Sequence, residues 1–365
     1  MISHFGSYNL FNRISGRGNL NTELNTACDN LRESFLRHYV CLKKQHIIQT
    51  IKASACKISV NRAICKRSFD ELPAPFSCKK LLDLQLRHPL LINLTLQFII
   101  QMTDQSIQYR FQAAQVLVRD AGLYALQWFR NLESLHTEQK GPQDWVSEAD
   151  REVEKMIQKR LKELFPEDGF FGEESGFQPQ NSEGLWVVDP IDGTSCFLQG
   201  MSSWCVSMAY VVNNEIEIGL IYAPCTDELF AAQRGSGATL NGRLMRPSKA
   251  TSLSEGIVGL GYSPKSSIEA TQKAFAYLFE NGGVYHDIGS GALMTAYVAA
   301  GRYVGYYEYQ INSWDCLAGI AMVRETGGWT NDFLANDGLH TGNPVLAAAP
   351  GTKEAMLNLF SAAGH

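Results

Sequence analysis

The sequence predicts a mixed fold of helices and sheets (α/β, α+β), and three observations support it. Apolar residues recur at helical spacing over 111–129 and again over 149–165. Short apolar segments joined by turn residues fill 203–247. Beyond 256, strand-like and helix-like stretches alternate to the last residue. With 365 residues, 45% hydrophobic and 19% charged, the chain has room for about two domains or one large one.

The first 101 residues stand apart. They hold 14 Lys/Arg against 6 Asp/Glu, whereas residues 102–365 hold 18 against 31. Helical pieces are expected over 28–50 and 78–100, with "ELPAPFS" breaking the chain between them. Residues 1–101 are therefore read as a basic extension, poorly ordered or partly helical, or not native to the protein, with Met102 as the native start. Residues 102–365 are expected to form the folded domain, with subregions of about 102–250 and 251–365.

Within that domain the elements follow in order. Phe111, Ala114, Val118, Ala121, Ala125 and Phe129 mark one face of a first helix. Val153, Met156, Ile157, Leu161 and Leu164 mark a second over 149–165, stopped at Pro166. Strands are expected at 169–172 and 185–189, and a short helix at 194–199. "WCVSMAYVV", "EIEIGLIYAP", "ELFAAQR" and "ATLNGRLM", joined by Asn-Asn, Thr-Asp and Gly-Ser-Gly turns, read as an antiparallel meander. Then come a strand at 256–261, a helix at 265–281, a strand at 284–288 and a helix at 290–300. A strand at 302–308, a helix at 314–326, a strand at 344–349 and a helix at 352–362 complete the chain.

Several function classes are disfavoured. A net charge of −5 argues against a general nucleic-acid binder. None of the nine cysteines forms a CxxC pair, which disfavours a metal ribbon. Cys196, Cys205, Cys225 and Cys316 sit in apolar contexts and read as reduced core residues, which points to a cytoplasmic location. The most apolar stretch, "PLLINLTLQFII", is broken by Asn, Thr and Gln and too short to span a bilayer, so no membrane association is expected. The N-terminus lacks a secretory apolar core, although Arg13 and Arg17 before the first acid, Glu23, give it a faint likeness to a transit peptide.

Acids gather at the expected element ends. They are Asp144 and Asp150 around Ser147, Glu173 and Glu174 in "GEES", Asp189 and Asp192 in "DPIDGT", Glu308 in "YYEY" and Asp315 in "SWDCLAG". Each alone has a plain explanation: an exposed loop for "EES", a turn or cap for the others. Together they suggest a cation, because carboxylates crowded into one place repel one another. An all-oxygen donor set suits Mg²⁺ shared with phosphate, and without a nearby His/Cys cluster zinc is disfavoured. The "PID" turn offers the Ile191 carbonyl as a neutral ligand, and Gly193 and Thr194 offer backbone N–H groups at a helix start. Metal, phosphate and an activated water in one place describe metal-assisted hydrolysis of a phosphate ester.

The order of Asp150, Glu173-Glu174, Asp189-Pro190-Ile191-Asp192-Gly193-Thr194, Trp314-Asp315 and Gly327-Gly328 resembles the inositol monophosphatase family of Mg²⁺-dependent, lithium-sensitive phosphatases. The resemblance covers about 105–362 and implies a layered αβαβα sandwich of the sugar-phosphatase type, a homodimer and a phosphomonoesterase activity. It implies a first Mg²⁺ on Glu173, Asp189 and the Ile191 carbonyl, and a second on Asp189, Asp192 and Asp315. Asp150 and Glu173 would support a third. Gly193 and Thr194 would bind phosphate. Thr194 would orient the attacking metal-activated water, with Glu173 or Asp150 as base, and Glu174 would orient its neighbours. Glu308, seven residues before Asp315, matches an acid that bonds sugar or inositol hydroxyls, and Ser290 a small residue near the ring. The implied substrate is a small polyol or sugar monophosphate. His286 stands where an arginine, and Asn312 where a histidine, is often found, and both reshape the alcohol pocket. Histidinol phosphate and nucleotide 3′-phosphates are alternative substrates. From other classes, the alternatives are a regulatory protein binding RNA or a transcription complex on this scaffold, with 1–101 as the contact, and a metal-binding structural protein.

Overall fold

The computed structural model describes the backbone of residues 89–365 except 142, 143, 181 and 264, and side chains from 106 onward except 134, 139–146, 181 and 264. The first helix, α1 (Pro89–Phe129), runs straight through residue 102, where the composition shifts. Ala114, Val118, Ala121 and Ala125 of its expected inward face are buried, together with Leu117, and Phe111 and Phe129 are half-buried. The helix expected at 28–50, and residues 78–88 of the next one, lie outside the described residues. Leu94–His365 form one compact unit; the other, Met1–Asn93, lies almost wholly outside the described residues.

A hairpin that the sequence did not suggest follows, β1 (Thr137–Gly141) and β2 (Asp144–Ser147). It leads into α2 (Glu148–Leu164), where Ser147 caps the helix and Asp150 completes a capping box. Val153, Ile157 and Leu161 point inward, as the spacing required, and Met156 is half-buried, whereas Leu164, expected on the same face, is 41% exposed in the last turn.

The large sheet comprises β3 (Gly169–Gly172), β4 (Gly176–Gln178), β5 (Gly184–Asp192), β6 (Cys205–Val212), β7 (Glu215–Ala223), β8 (Glu228–Gln233), β9 (Gly237–Leu240) and β10 (Arg243–Leu244), with α3 (Thr194–Leu198) between β5 and β6. Its order is β10-β9-β8-β7-β6-β5-β3-β4. From β5 to β10 it is the expected antiparallel meander, while β3 runs parallel to β5. Asn213 and Asn214 both take positive φ (53° and 61°), a conformation Asn tolerates well, and form the β6–β7 turn.

The small sheet has the order β12-β11-β13-β15-β14. Its strands are β11 (Ile257–Gly261), β12 (Val284–His286), β13 (Gly305–Ile311), β14 (Trp329–Thr330) and β15 (Asn343–Ala348). Its helices are α4 (Ile268–Glu280), α5 (Gly291–Ala299), α6 (Ser313–Glu325), α7 (Gly338–Thr341) and α8 (Lys353–Ala362). The strand expected at 302–308 begins three residues later. The amides of Arg302 and Tyr303 both bond back to Tyr297 O (2.9 and 3.1 Å), so these residues close α5, with Gly301 at φ +74°.

Five layers result, as the resemblance implied. Helices α1 and α2 cover one face of the large sheet. Helices α5 and α6 lie between the two sheets. Helices α4 and α8 cover the outer face of the small one. Strand β5 faces both ways, with Trp186 and Val188 toward α1 and α2 and Val187 toward α5 and α6, which explains its unbroken apolar run. A Cβ on Gly219 would sit 2.3 Å from Ala318 O, so glycine there lets the α6 backbone rest on β7. A buried ion pair holds α1 in place: Arg110 Nε and Nη2 donate to Asp168 at 2.7 and 2.8 Å, and Trp186 Nε1 and Tyr210 OH donate to the same carboxylate at 3.2 Å. Cys196, Cys205 and Cys316 are buried free thiols, as expected, and Cys225 is half-buried. Among the described residues no helix is long and apolar enough to cross a membrane.

Candidate functional site

Strand β5 is buried along its length and ends in Asp189-Pro190-Ile191-Asp192, where its register with β6 breaks. Ile191 N donates to Asp189 Oδ1 at 2.9 Å. The chain then turns at Gly193, whose φ of +95° and whose spacing of 2.9 Å from a would-be Cβ to Ser203 O leave room for glycine only.

Two helix starts meet this strand end. At α5, Ser290 Oγ and Ala292 N donate to Asp192 Oδ2 at 2.5 and 2.8 Å. At α6, Asp315 accepts from Asn312 N and Nδ2 at 3.2 and 3.1 Å, while Ser207 Oγ on β6 holds the Trp314 carbonyl at 2.9 Å. Carboxylate oxygens of Asp189, Asp192 and Asp315 thereby lie within 4.8 Å of one another.

The remaining acids border this trio. Glu173 continues β3 through its N–H to Val188 O (3.1 Å), and its charge acts on Asp189. Asp150, at the start of α2, accepts from Ser147 N (2.8 Å), Ser147 Oγ (2.5 Å) and Thr194 Oγ1 (3.2 Å). The Thr194 hydroxyl also lies 3.0 Å from Ile191 O, and its single proton serves one of the two acceptors at a time. Glu308 on β13 is buried and accepts from Tyr306 OH at 2.6 Å. Of the sequence candidates, Asp189, Asp192 and Asp315 are brought together, with Glu173 beside Asp189 and Asp150 joined to Thr194. Ser290 is bonded to Asp192 and Ile191 O to Thr194. Asp144 opens β2, and its side chain lies outside the described residues.

The electrostatics follow from burial and crowding. Desolvation, then Glu173, Asp192 and Asp315, push Asp189 well above the usual carboxylate range. Asp192 and Asp315 are raised by burial too, Asp192 also by Asp315, although hydrogen bonds from Ser290 and from Asn312 favour their charged forms. Asp150 is pushed up to about 6, chiefly by burial, with Glu174 adding to the rise and Ser147 opposing it. Glu308 is pushed up to about 8, again by burial first, with Asp315, Asp287 and Asp192 contributing and the Tyr306 bond opposing. Lys265, 3.3 Å from Asn312 Oδ1, partly offsets the rise at Asp315. Oxygen donors held close together at such electrostatic cost fit a hard divalent cation.

Two supporting residues escaped the sequence reading. Glu154 is buried and accepts from Glu174 N and Ser175 N. Its signal was present, since Asp150 and Glu154 are four apart on the helix edge next to Ile157. Tyr306 shares a face of β13 with Glu308, two residues on.

A model of the inositol monophosphatase family matches residues 106–364. The chain is similar to a Nus factor SuhB of Xylella fastidiosa, 41% identical over 221 residues that span 60% of this chain and 80% of that one. It is also similar to an inositol-1-monophosphatase of Rhizobium meliloti, 38% identical over 234 residues spanning 62% and 83%. Among solved structures, the extragenic suppressor protein suhB of Bartonella henselae aligns with a TM-score of 0.64 at 32% identity, over 72% of this chain and 98% of that one. The Thermotoga maritima IMPase aligns with a TM-score of 0.62 at 30% identity, over 70% and 97%. With the acids of the motif meeting where two helix starts reach the end of β5, the chain belongs to the inositol monophosphatase family.

Proposed function

We propose that this protein is a Mg²⁺-dependent phosphomonoesterase acting on a small polyol or sugar monophosphate. The observation that carries the reading is the meeting of Asp189, Asp192 and Asp315 within 4.8 Å. In it, Glu173, Asp189, the Ile191 carbonyl, Asp192 and Asp315 would hold two Mg²⁺ ions, and Asp150 with Glu173 a third. Bound ions would lower the pKa of a water at the site and neutralise charge on the phosphoryl group.

The chain's own groups have distinct roles in this reading. Thr194 orients the attacking water through its hydroxyl, held between Asp150 and Ile191 O. Asp150, pushed up to about 6, is suited to accept a proton near neutral pH, with Glu173 as the other candidate base. Gly193 and Thr194 bind phosphate oxygens through their amides. Glu308 bonds a substrate hydroxyl, and Ser290 borders the ring while it holds Asp192 in place. Lithium inhibition, a homodimeric state and a cytoplasmic location belong to the same proposal and are supported by the family resemblance. So does the division into an extension, 1–101, and a catalytic domain, 102–365.

The test is phosphate release from a panel of phosphomonoesters that includes inositol 1-phosphate, sugar phosphates, histidinol phosphate and a nucleotide 3′-phosphate. Turnover is expected with Mg²⁺, suppressed by Li⁺, and greatest on a polyol or sugar ester. A second reading, a part in a transcription complex, is supported by relatives that carry the name Nus factor. Inactivity across the whole panel would favour it.

A further inference from the structure

Glu154 does not belong to the acid trio, yet it is only 3% exposed. Its two carboxylate oxygens take separate partners. Oε2 accepts from Glu174 N and Oε1 from Ser175 N, each at 2.9 Å. These are successive amides of the turn that leaves β3 and carries Glu173 and Glu174. One carboxylate spanning two adjacent amides fixes both the position and the tilt of that turn.

The strand makes room for this grip. A Cβ built on Gly172 would fall 2.2 Å from Glu154 Oε2, so any side chain there would drive the carboxylate off its amides. Helix α2 thus sends two acids, one helical turn apart, to two parts of the site. Asp150 reaches Thr194, and Glu154 reaches the turn beside Glu173.

We propose that Glu154 is a positioning residue for divalent-cation binding, holding the turn so that Glu173 faces Asp189. This rests on the metal reading of the site given above. The Glu154 carboxylate bonds to the turn and stands outside the acid trio, so its effect passes through the backbone of residues 173–175. Groups that orient ligands in this way are commonly worth roughly ten- to hundredfold in metal affinity.

The test is calorimetric titration of the full chain with Mg²⁺ alone, which needs no turnover. Glu154→Gln keeps the shape but replaces one acceptor oxygen with a donor, and is expected to weaken Mg²⁺ binding about tenfold or more. Gly172→Ala is expected to do the same by a steric route, and serves if Glu154→Gln does not fold. Glu173→Gln supplies the decisive background. If Glu154 acts through Glu173, adding Glu154→Gln or Gly172→Ala to Glu173→Gln weakens binding little further. Wild-type affinity in folded Glu154→Gln and Gly172→Ala, or losses that multiply in the double variants, would overturn the proposal while the metal reading stands. Failure of the wild-type chain to bind Mg²⁺ at all would overturn both.

Discussion

Ser290 Oγ donates to Asp192 Oδ2 at 2.5 Å, joining residues 98 positions apart and tying the start of α5 to the end of β5. Because this bond favours the charged carboxylate, it opposes the upward push of burial. Ser290→Ala is expected to raise the pKa of Asp192 further. Mg²⁺ binding should weaken by roughly tenfold and need a higher pH, which Mg²⁺ titrations between about pH 6 and 8 would detect. Unchanged affinity across that range would remove Ser290 from the metal site.

Asp315→Asn should separate activity from stability. Its neutral amide keeps an oxygen for the Asn312 amides at the start of α6, so the helix cap survives. It removes one charge from three crowded carboxylates. Turnover with Mg²⁺ is expected to fall by about a hundredfold or more, since several kcal/mol of charge stabilisation are lost. The metal-free protein should melt at a higher temperature than wild type. A lower melting temperature in EDTA would contradict the crowding.

The same crowding sets a pH dependence for the metal-free protein. Asp150 and Glu308 are raised to about 6 and about 8, and Asp189, Asp192 and Asp315 are raised as well. All five bind protons more tightly folded than unfolded, where carboxylates titrate near about 4. The native state therefore holds more protons between about pH 4 and 8, and these groups favour folding less and less as pH rises through that window. Melting curves in EDTA should show the decline, and Mg²⁺ should stabilise most at its alkaline end. A metal-free melting temperature that rises steadily from about pH 5 to 8 would contradict these assignments.

What was legible in the sequence had a period or a motif behind it. The apolar faces of α1 and α2, the meander and the buried run of β5 follow from spacing alone. The acids stood out because "DPIDGT" places two carboxylates at the end of an apolar strand. β1 left no mark because "TEQKG" has no apolar residue to alternate, and the two-residue β14 is too short to show a period. The displaced start of β13 was hidden in the turn at Gly301, where backbone amides rather than side chains decide. Glu154 went unread although it stands one helical turn after Asp150, because that spacing does not disclose its partners, backbone N–H groups some twenty residues on.

The break at residue 102 falls inside α1, which begins at Pro89 and buries its inward face from Ala114 onward. Deleting residues 1–88 keeps that helix whole. Mg²⁺ affinity and turnover are expected to stay within about twofold of the full chain, because every acid assigned to the site, from Asp150 to Asp315, and the strands and helix starts that carry them belong to the retained chain. Lost turnover in the folded, shortened chain would make the extension part of the catalytic domain.

The Arg110–Asp168 pair tests stability apart from the site. The two side chains are 17% and 2% exposed, and the guanidinium lies 4.7 Å over the Phe165 ring, so it is shielded on that side as well. Asp168→Asn keeps an acceptor oxygen for only one of Trp186 and Tyr210, which donate to different carboxylate oxygens, and leaves Arg110 without its counter-charge. Breaking one side of a buried pair costs about 3–5 kcal/mol, well above the ~1 kcal/mol of a surface pair. Urea unfolding should show a loss of that order. Its partners are Arg110, Ser182, Trp186 and Tyr210, none of them in the acid trio, so Mg²⁺ affinity of the folded variant should stay within about twofold of wild type. A loss below about 1 kcal/mol would mean that solvent screens the pair, and a matching loss of Mg²⁺ affinity would mean that this anchor also sets the position of β5 beneath the carboxylates.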